Sequence, residues 1–393
     1  MSAGIYLHIP FCKSRCSYCD FATDVWRSND AVERYVDALC EEIEGGNPSG
    51  NEGAQRGISS NSCTLPTGRV SAFVDTIYFG GGTPSLLNPA QVEKIMDNVN
   101  LKFDISIDAE ITMEMNPATV TPETLAAYRS LGVNRASFGV QTFDDHALKL
   151  LARGHDANDA RATFKMLRAA GFDNVSFDLI AGLPGQTLDI WQSNLDEAIA
   201  MSPEHLSLYL LEIHEGTPLA EQVRSNRQPQ PDPELAAEMY EIMLDRLADA
   251  GYQQYEISNF SKPGYESRHN TKYWTLDPVF SFGVSAHSFD GRERYANERD
   301  TAKYVELIAT QTSAENYRET IDIASEFVFL GLRLEEGIDL AQYTERFGVD
   351  LIAKYRDEIE RLQDSGLIEV NDDRIKLTRK GKLFSNEVFA VFV

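Results

Sequence analysis

Three of the chain's five cysteines fall within eight residues, in the run Cys12-Lys13-Ser14-Arg15-Cys16-Ser17-Tyr18-Cys19, a C-x3-C-x2-C spacing. Three thiolates on one short loop converge on a single inorganic centre, and cysteine ligation is the usual way to hold a 4Fe-4S cluster. Three protein ligands for four irons leave one iron open to a substrate or cofactor. Zinc is the competing chemistry, but a structural zinc site takes four ligands, often as paired C-x2-C units, and no second pair occurs. Redox-active thiols are a further alternative. Cys40 lies on a helical stripe with Val32, Val36, Leu39 and Ile43 and reads as a small core residue. Cys63 reads as an incidental thiol in a surface stretch.

Other chemistry-bearing residues recur at regular places. Gly80-Gly81-Gly82-Thr83-Pro84 brings backbone amides close to a charged ligand without side-chain collision, and it is no P-loop, since no Lys-Ser or Lys-Thr follows. Glu114, Gln141 and Asp178 stand in or at the ends of apolar runs, where a polar side chain is costly to bury unless it is paired. Three on one rim suggest a shared ligand. Late in the chain, Arg268-His269-Asn270-Thr271-Lys272-Tyr273-Trp274 sets an imidazole beside two aromatic rings. An imidazole is a good axial ligand for haem iron and aromatic rings stack on a porphyrin face. A lone histidine beside aromatics is more often a hydrogen-bonded structural residue, and His287 and His8 are further candidates.

To hold these residues the chain must form βα units. Short β-branched or aromatic runs at 5–9, 76–79, 110–115, 135–140, 174–180 and 206–211 alternate with amphipathic stretches at 31–44, 89–99, 122–131, 156–170 and 188–200, a pattern that implies a parallel sheet. Its ligand end is the carboxyl end of the strands, which is where the cysteine loop, the glycine run, Glu114, Gln141 and Asp178 are expected to fall. Six units are too few for a closed eight-stranded barrel, so a partial six-unit barrel or a doubly wound sheet is expected. The segment 45–68, rich in Gly, Ser, Asn and Pro, reads as a mobile insertion. After about Pro218 the rhythm stops at a proline-rich hinge, residues 228–233. Helices at 340–347 and 350–364 and a hairpin turning at 371–373 then predict an α+β winged-helix-like module. The expected domains are 1–217, a connecting extension 218–300, and 301–393.

With 36 Lys and Arg against 61 Asp and Glu, the net charge of −25 argues against nucleic acid or an anionic membrane face as a general partner. From residue 330 onward acidic residues outnumber basic ones 13 to 10, which disfavours an iron-sulfur regulator that reads DNA through the terminal module. A 42% hydrophobic composition supports a packed core. No apolar run approaches the ~20 residues of a membrane span. The N-terminus lacks the basic region of a signal peptide. Clustered, odd-numbered cysteines suit a reducing compartment, so a cytoplasmic protein is expected.

The cysteine spacing with Tyr18, followed by the GGGTP run, resembles the radical S-adenosylmethionine (SAM) superfamily. More closely, Tyr6-Leu7-His8-Ile9-Pro10-Phe11-Cys12 and Leu183-Pro184-Gly185-Gln186-Thr187 resemble the subgroup containing oxygen-independent coproporphyrinogen III dehydrogenase (HemN) and the haem chaperones of the HemW group. The resemblance covers nearly the whole chain. It implies a 4Fe-4S cluster on Cys12, Cys16 and Cys19. It implies SAM contacts from Tyr6, Tyr18, Cys19, Asp20, Gly81, Gly82, Thr83, Glu114, Gln141, Arg153 and Asp178. Two departures separate the relatives. Phe21 stands where the dehydrogenase has a fourth cysteine, and only four residues precede Ile5 where it has a long arm. The His269 to Trp274 run matches the chaperone group's H-N-x-x-Y-W motif, and the resemblance assigns His269 to haem. It thus implies a haem chaperone with SAM at the cluster, an electron donor to that cluster, and apo-haemoproteins, respiratory ones among them, as recipients. Whether SAM is cleaved, and whether delivery brings peripheral membrane contact, it leaves open. The alternative is a SAM-dependent oxidoreductase acting on coproporphyrinogen III.

Overall fold

The computed structural model describes residues 2–45, 72–311 and 313–392. All six expected strands form: β1 Ala3–Ile9, β2 Phe73–Gly81, β3 Asp104–Met115, β4 Arg135–Gln141, β5 Val175–Ala181 and β6 His205–Leu210. The helices between them also form, at Asn29–Gly45, Pro89–Lys102, Pro122–Ser130, Ala157–Ala169 and Leu188–Met201. The α/β class expected from the alternation is therefore the observed one. Local chemistry sets the helix starts. Thr121 accepts from the backbone N–H of Thr124 with Pro122 in the first turn, and Asn88 and Asp156 close capping boxes of the same kind. Cys40 is buried on helix Asn29–Gly45 beside Val36, Leu39 and Ile43, as expected of a core residue. Apart from Gly45, the segment 45–68 with Cys63 lies outside the described residues.

The chain divides into two packing units, and the division falls within β5. The first comprises Met1–Ser176, Glu212–Gln228 and Asp277–Glu319, and the second Phe177–Leu211, Pro229–Leu276 and Thr320–Val393. In the first unit β1, β2, β3 and β4 lie side by side and parallel, Tyr6 opposite Tyr78 and His8 opposite Gly80. Parallel strands covered on both faces should read as near-continuous apolar runs, and six of the seven residues of β1 are buried.

On the other side of β1 the sheet gains strands that no periodicity announced. Val279–Phe282 runs parallel to β1, followed outward by His287–Phe289, Glu293–Asn297 and Glu315–Thr320. All four are short; Val279–Phe282 is apolar and buried, while the three outer strands are rich in polar residues.

A buried carboxylate ties this edge to the first helix. Glu42 accepts from the hydroxyl of Tyr304 at 2.6 Å, the side-chain amide of Asn297 at 2.6 Å and the backbone N–H of Gly283 at 2.8 Å. Two turns earlier on the same helix Tyr35 donates to the carbonyl of His8 at 2.6 Å and accepts from the N–H of Val284 at 3.1 Å. Gly283, at φ +104°, permits the approach: a Cβ there would stand 2.6 Å from the Tyr35 hydroxyl and 2.7 Å from the His8 carbonyl.

In the second unit β5 and β6 are followed by Asn259–Ser261 and Gln253–Gln254, with Asn259–Ser261 antiparallel to both β6 and Gln253–Gln254. The C-terminal module forms as an α+β element. Its hairpin Ile368–Val370 and Arg374–Leu377 turns where Asn371 Oδ1 accepts from the backbone N–H groups of Asp373 and Arg374, and Ile338–Asp339 adds a third strand. The expected helix 350–364 is broken into Leu351–Lys354 and Arg356–Asp364 at Tyr355, whose ring packs edge-on against Phe392 at 5.1 Å. Arg379 reaches Glu241 and Asp245, and Lys382 reaches Glu335, so the module is held by ion pairs to the rest of its unit.

Burial pushes the Glu42 carboxyl up to about 7 from an ordinary 4.5, against the pull of its three donors. The folded protein therefore holds a proton that the unfolded chain releases. Its contribution to stability is full below about pH 4.5 and is lost as pH rises through about 7. Glu42→Gln mimics the protonated form, so its stability relative to wild type should improve between about pH 5 and about pH 8. Denaturant unfolding at the two pH values measures this, and a pH-independent difference would show that Glu42 does not titrate in that window.

Candidate functional site

The cysteine loop leaves β1 and is closed at its base by a short parallel pairing, Phe11 opposite Asp24 and Cys12 opposite Val25. Further in, the N–H of Ser17 donates to the carbonyl of Leu151 at 2.9 Å, and the carbonyl of Ser17 accepts from the N–H of Leu219 at 2.8 Å. All three cysteines are half-buried. Burial raises the thiol pKa of Cys12, to about 11, and of Cys19. As free thiols Cys12 and Cys19 are protonated at neutral pH, and a metal must displace those protons to bind.

The glycine run is stitched to this loop through its backbone. The N–H of Gly82 donates to the carbonyl of Ile9 at 2.8 Å and that of Thr83 to the carbonyl of Phe11 at 2.9 Å. A Cβ on Gly82 would lie 2.6 Å from the carbonyl oxygen of Pro10, so glycine is required by the close passage of the two loops. Gly81, at φ +106°, turns its N–H to Glu114 Oε2 at 3.1 Å, and Tyr78 donates to Glu114 Oε1 at 2.9 Å. The charged strand-end residue is thus paired, as its burial cost demands.

Side chains complete a relay from one cysteine to another. Arg153 donates through Nη1 to Cys16 Sγ at 3.5 Å and through Nη2 to Asn116 Oδ1 at 2.7 Å and the Gly139 carbonyl at 2.6 Å. Asn116 Nδ2 donates to Thr83 Oγ1 at 2.8 Å, and Thr83 donates to Cys12 Sγ at 3.5 Å. The directions follow from arginine, which is a donor only. It sets the Asn116 amide, which makes Thr83 an acceptor from Asn116 and leaves its proton for sulfur. Donors on two sulfurs stabilise thiolates and tune a cluster's iron-sulfur bonds. Asn116 was not singled out from the sequence, although it stands two residues beyond Glu114 at a strand's carboxyl end, and an amide is the side chain suited to link a hydroxyl with a guanidinium.

Gln141 closes β4 in the left-handed region, φ 67°, a conformation that non-glycine residues hold at a cost. Gly139 makes room for it: a Cβ there would fall 2.5 Å from Gln141 Nε2 and 3.2 Å from Arg153 Nη2. Tyr6 stacks on Tyr78 with ring centres 6.1 Å apart, and its hydroxyl meets His8 Nδ1 at 3.2 Å. His8 Nε2 lies 2.9 Å from the carbonyl of Ala22, and burial lowers its pKa, so the ring is neutral, donates from Nε2 and braces the cysteine loop. Tyr18 is half-buried, and Asp20 faces His214 at 3.7 Å while its carbonyl accepts from Arg299 Nη2 at 2.8 Å.

The first unit thus brings together Tyr6, the three cysteines, Tyr18, Asp20, Gly81, Gly82, Thr83, Glu114, Gln141 and Arg153. Asp178 and His269 belong to the second unit. Asp178 is the one half-exposed residue of β5. His269 is 1% exposed on helix Arg268–Thr275, with Nε2 3.1 Å from the Tyr273 hydroxyl. Trp274 lies under the guanidinium of Arg333 at 4.2 Å, and Arg333 pairs with buried Glu256 at 3.1 Å.

Among the described residues no group of three or more His, Cys, Asp or Glu is placed to hold a single metal ion. A 4Fe-4S cluster makes a different demand, since each cysteine takes its own iron. A soft all-sulfur donor set with hydrogen bonds to two of the sulfurs fits that group.

Residues 67–198 match the family model of the radical SAM superfamily, and residues 319–384 that of the HemN C-terminal domain. The protein "Heme chaperone HemW" of Bacillus subtilis (strain 168) is 36% identical, covering 99% of this chain and 98% of its own length. That of Escherichia coli (strain K12) is 32% identical over 99% and 98%. "Radical S-adenosyl methionine domain-containing protein 1, mitochondrial" of Bos taurus is 33% identical over 96% of this chain and 84% of its own. Among solved structures, coproporphyrinogen III oxidase (HemN) from Escherichia coli, a radical SAM enzyme, superposes with a TM-score of 0.83 over 100% of this chain and 90% of its own at 24% identity, a likeness of fold.

Two substitutions test the coupling of loops and sulfurs. Gly82→Ala should push the glycine run off Pro10, costing about 1–3 kcal/mol of stability and lowering iron and sulfide per chain after reconstitution. Unchanged iron content would show that the two loops move independently. Asn116→Leu strips partners from Thr83 and Arg153, each worth roughly 1–3 kcal/mol if left unsatisfied. It should shift the absorbance of the reconstituted protein, and a spectrum identical to wild type would remove Asn116 from the site.

Proposed function

The chain belongs to the HemW family of the radical SAM superfamily, and we propose that it is a haem chaperone that binds haem and passes it to apo-haemoproteins. The likeness that carries this reading is end-to-end identity of 32–36% with proteins named heme chaperone HemW. Phe21, where the dehydrogenase branch has a fourth cysteine, supports the same branch.

In this reading Cys12, Cys16 and Cys19 hold the 4Fe-4S cluster. Tyr6, Tyr18, Cys19, Asp20, Gly81, Gly82, Thr83, Glu114, Gln141, Arg153 and Asp178 contact SAM. Bound there, the pair supplies one-electron chemistry, for which a protein electron donor is required. The polypeptide's part is to hold charge and shape. Gly81 and Gly82 keep the backbone open to the amino-acid end of SAM, Glu114 offers a carboxylate to its ammonium, and Arg153 balances the charge of the sulfurs. The functional segments are the SAM domain 1–217, the extension 218–300 with the H-N-x-x-Y-W motif, and the C-terminal domain 301–393. Among the described residues no helix is long and apolar enough to cross a membrane. Haem transfer to respiratory apo-proteins then proceeds from the cytoplasm, with membrane contact only peripheral.

His269 is the proposed haem ligand. Ligation through Nε2 exchanges the Tyr273 hydroxyl for iron, so haem binding must loosen helix Arg268–Thr275. Absorbance titration with haem of the full-length reconstituted protein and of His269→Ala tests this, the variant being expected to bind more weakly with an altered Soret band. Equal binding and transfer by both would remove His269 from the role. No binding by either would sink the chaperone reading, and conversion of coproporphyrinogen III with release of 5′-deoxyadenosine under reduction would replace it.

A further inference from the structure

The added strands beside β1 line an open pocket of about 500 Å³ to which none of the roles above refers. His287, Arg294, Arg299, Asn316, Tyr317 and Glu319 stand on its walls, all in the first unit. Its size lies within the range of small-molecule sites. In a chain of net charge −25 this is a local gathering of cations: two guanidiniums, with Glu319 the only carboxylate among the lining residues. Arg294 lies over the ring of Phe289 at 5.2 Å, and the neighbouring Arg318 pairs with Glu293 and Glu315 and lies over the ring of Tyr295 at 4.4 Å. Burial first, and then the positive charges of Arg294 and Arg299, lower the His287 pKa, so the imidazole is neutral.

The cavity adjoins the cysteine loop. Arg299 donates to the carbonyl of Asp20, the residue after Cys19, and the next residue, Phe21, is 65% exposed. A ligand seated here meets guanidiniums at one end and an exposed aromatic surface nearby. Two guanidiniums suit a dicarboxylate, each fork matching one carboxylate with two parallel hydrogen bonds. They suit the zwitterionic end of an amino acid poorly, since its ammonium would be repelled by both.

We propose that this cavity recognises the propionate edge of the tetrapyrrole, Arg294 and Arg299 each taking one carboxylate while His287 and Tyr317 face the ring. The proposal rests on the haem-handling reading above and adds to it a carboxylate-recognition site on the cluster side of the molecule.

The test is an anaerobic absorbance titration of the full-length reconstituted protein with haem and with haem dimethyl ester, repeated on Arg294→Gln, Arg299→Gln and His287→Ala. Wild type should bind haem at least ten-fold more tightly than the ester. Each arginine substitution should weaken haem binding about ten-fold, the size of a lost charge-assisted hydrogen bond, and leave ester binding unchanged. His287→Ala should alter the Soret band of bound haem. Wild type binding acid and ester equally overturns the proposal, and this comparison stands even if a variant fails to fold. Variants with wild-type iron and sulfide content and wild-type preference for the free acid overturn it too. In both cases haem still binds, so the chaperone reading survives, whereas absence of haem binding by wild type removes both.

Discussion

The arrangement depends on one constraint: the loop carrying Cys12, Cys16 and Cys19 has almost no regular structure of its own, so its shape is imposed by its neighbours. Backbone bonds from Gly82 and Thr83 fix where the loop begins, and those of Ser17 fix its middle. The relay from Cys12 through Thr83, Asn116 and Arg153 to Cys16 then fixes two sulfurs. Thr83 and Asn116 come from the ends of β2 and β3, and Arg153 from the loop after helix Asp145–Leu150. The parallel sheet therefore serves less as a platform than as a jig: if β2, β3 and β4 kept their register but lost one of these side chains, two sulfurs would lose a common reference.

The same constraint explains which parts of the site were legible in the sequence. Cys12, Cys16 and Cys19 could be read because ligand spacing on a single loop is a local property. Glu114 and Gln141 could be read because a polar residue closing an apolar strand breaks period and composition together. Asn116 could not, since asparagine before proline at a strand end is ordinary turn chemistry, and its role exists only once Thr83 and Arg153 are brought to it from positions 33 and 37 residues away in the chain. The need for glycine at 82 and 139 was equally hidden, because the atoms that exclude a side chain belong to Pro10 in one case and to Gln141 and Arg153 in the other.

For the fold, the legible part was the βα rhythm, whose strands run for seven to twelve residues in the first unit and bury much of their length. The edge strands after residue 277 were not legible. His287–Phe289 and Glu293–Asn297 have three and five residues, and Glu315–Thr320 is exposed throughout. Strands of this kind owe their conformation to the neighbour they pair with rather than to their own pattern. The break at Tyr355 has a similar origin. The helical stripe through 351–362 is intact in the sequence, and the local backbone yields to the contact of Tyr355 with Phe392.

These late strands also change how the histidines are weighed. An imidazole near aromatics, as in the run from His269 to Trp274, is attractive as a haem ligand on composition alone, yet in the fold each partner also serves the packing, since Tyr273 hydrogen-bonds His269 and Trp274 carries Arg333. His287 lies in the opposite situation, exposed at the rim of a cavity and held neutral beside two guanidiniums. Its position is no accident of a loose edge. Glu42 pins Gly283 and Asn297, one on either side of His287 in the chain, while Tyr35 bonds both Val284 and the carbonyl of His8 at the end of β1. The cysteine loop begins three residues after that carbonyl, at Phe11. The strand that launches the cluster loop and the turn that leads into the His287 strand are thus fastened to the same buried helix face, so a ligand that displaced one would be felt by the other.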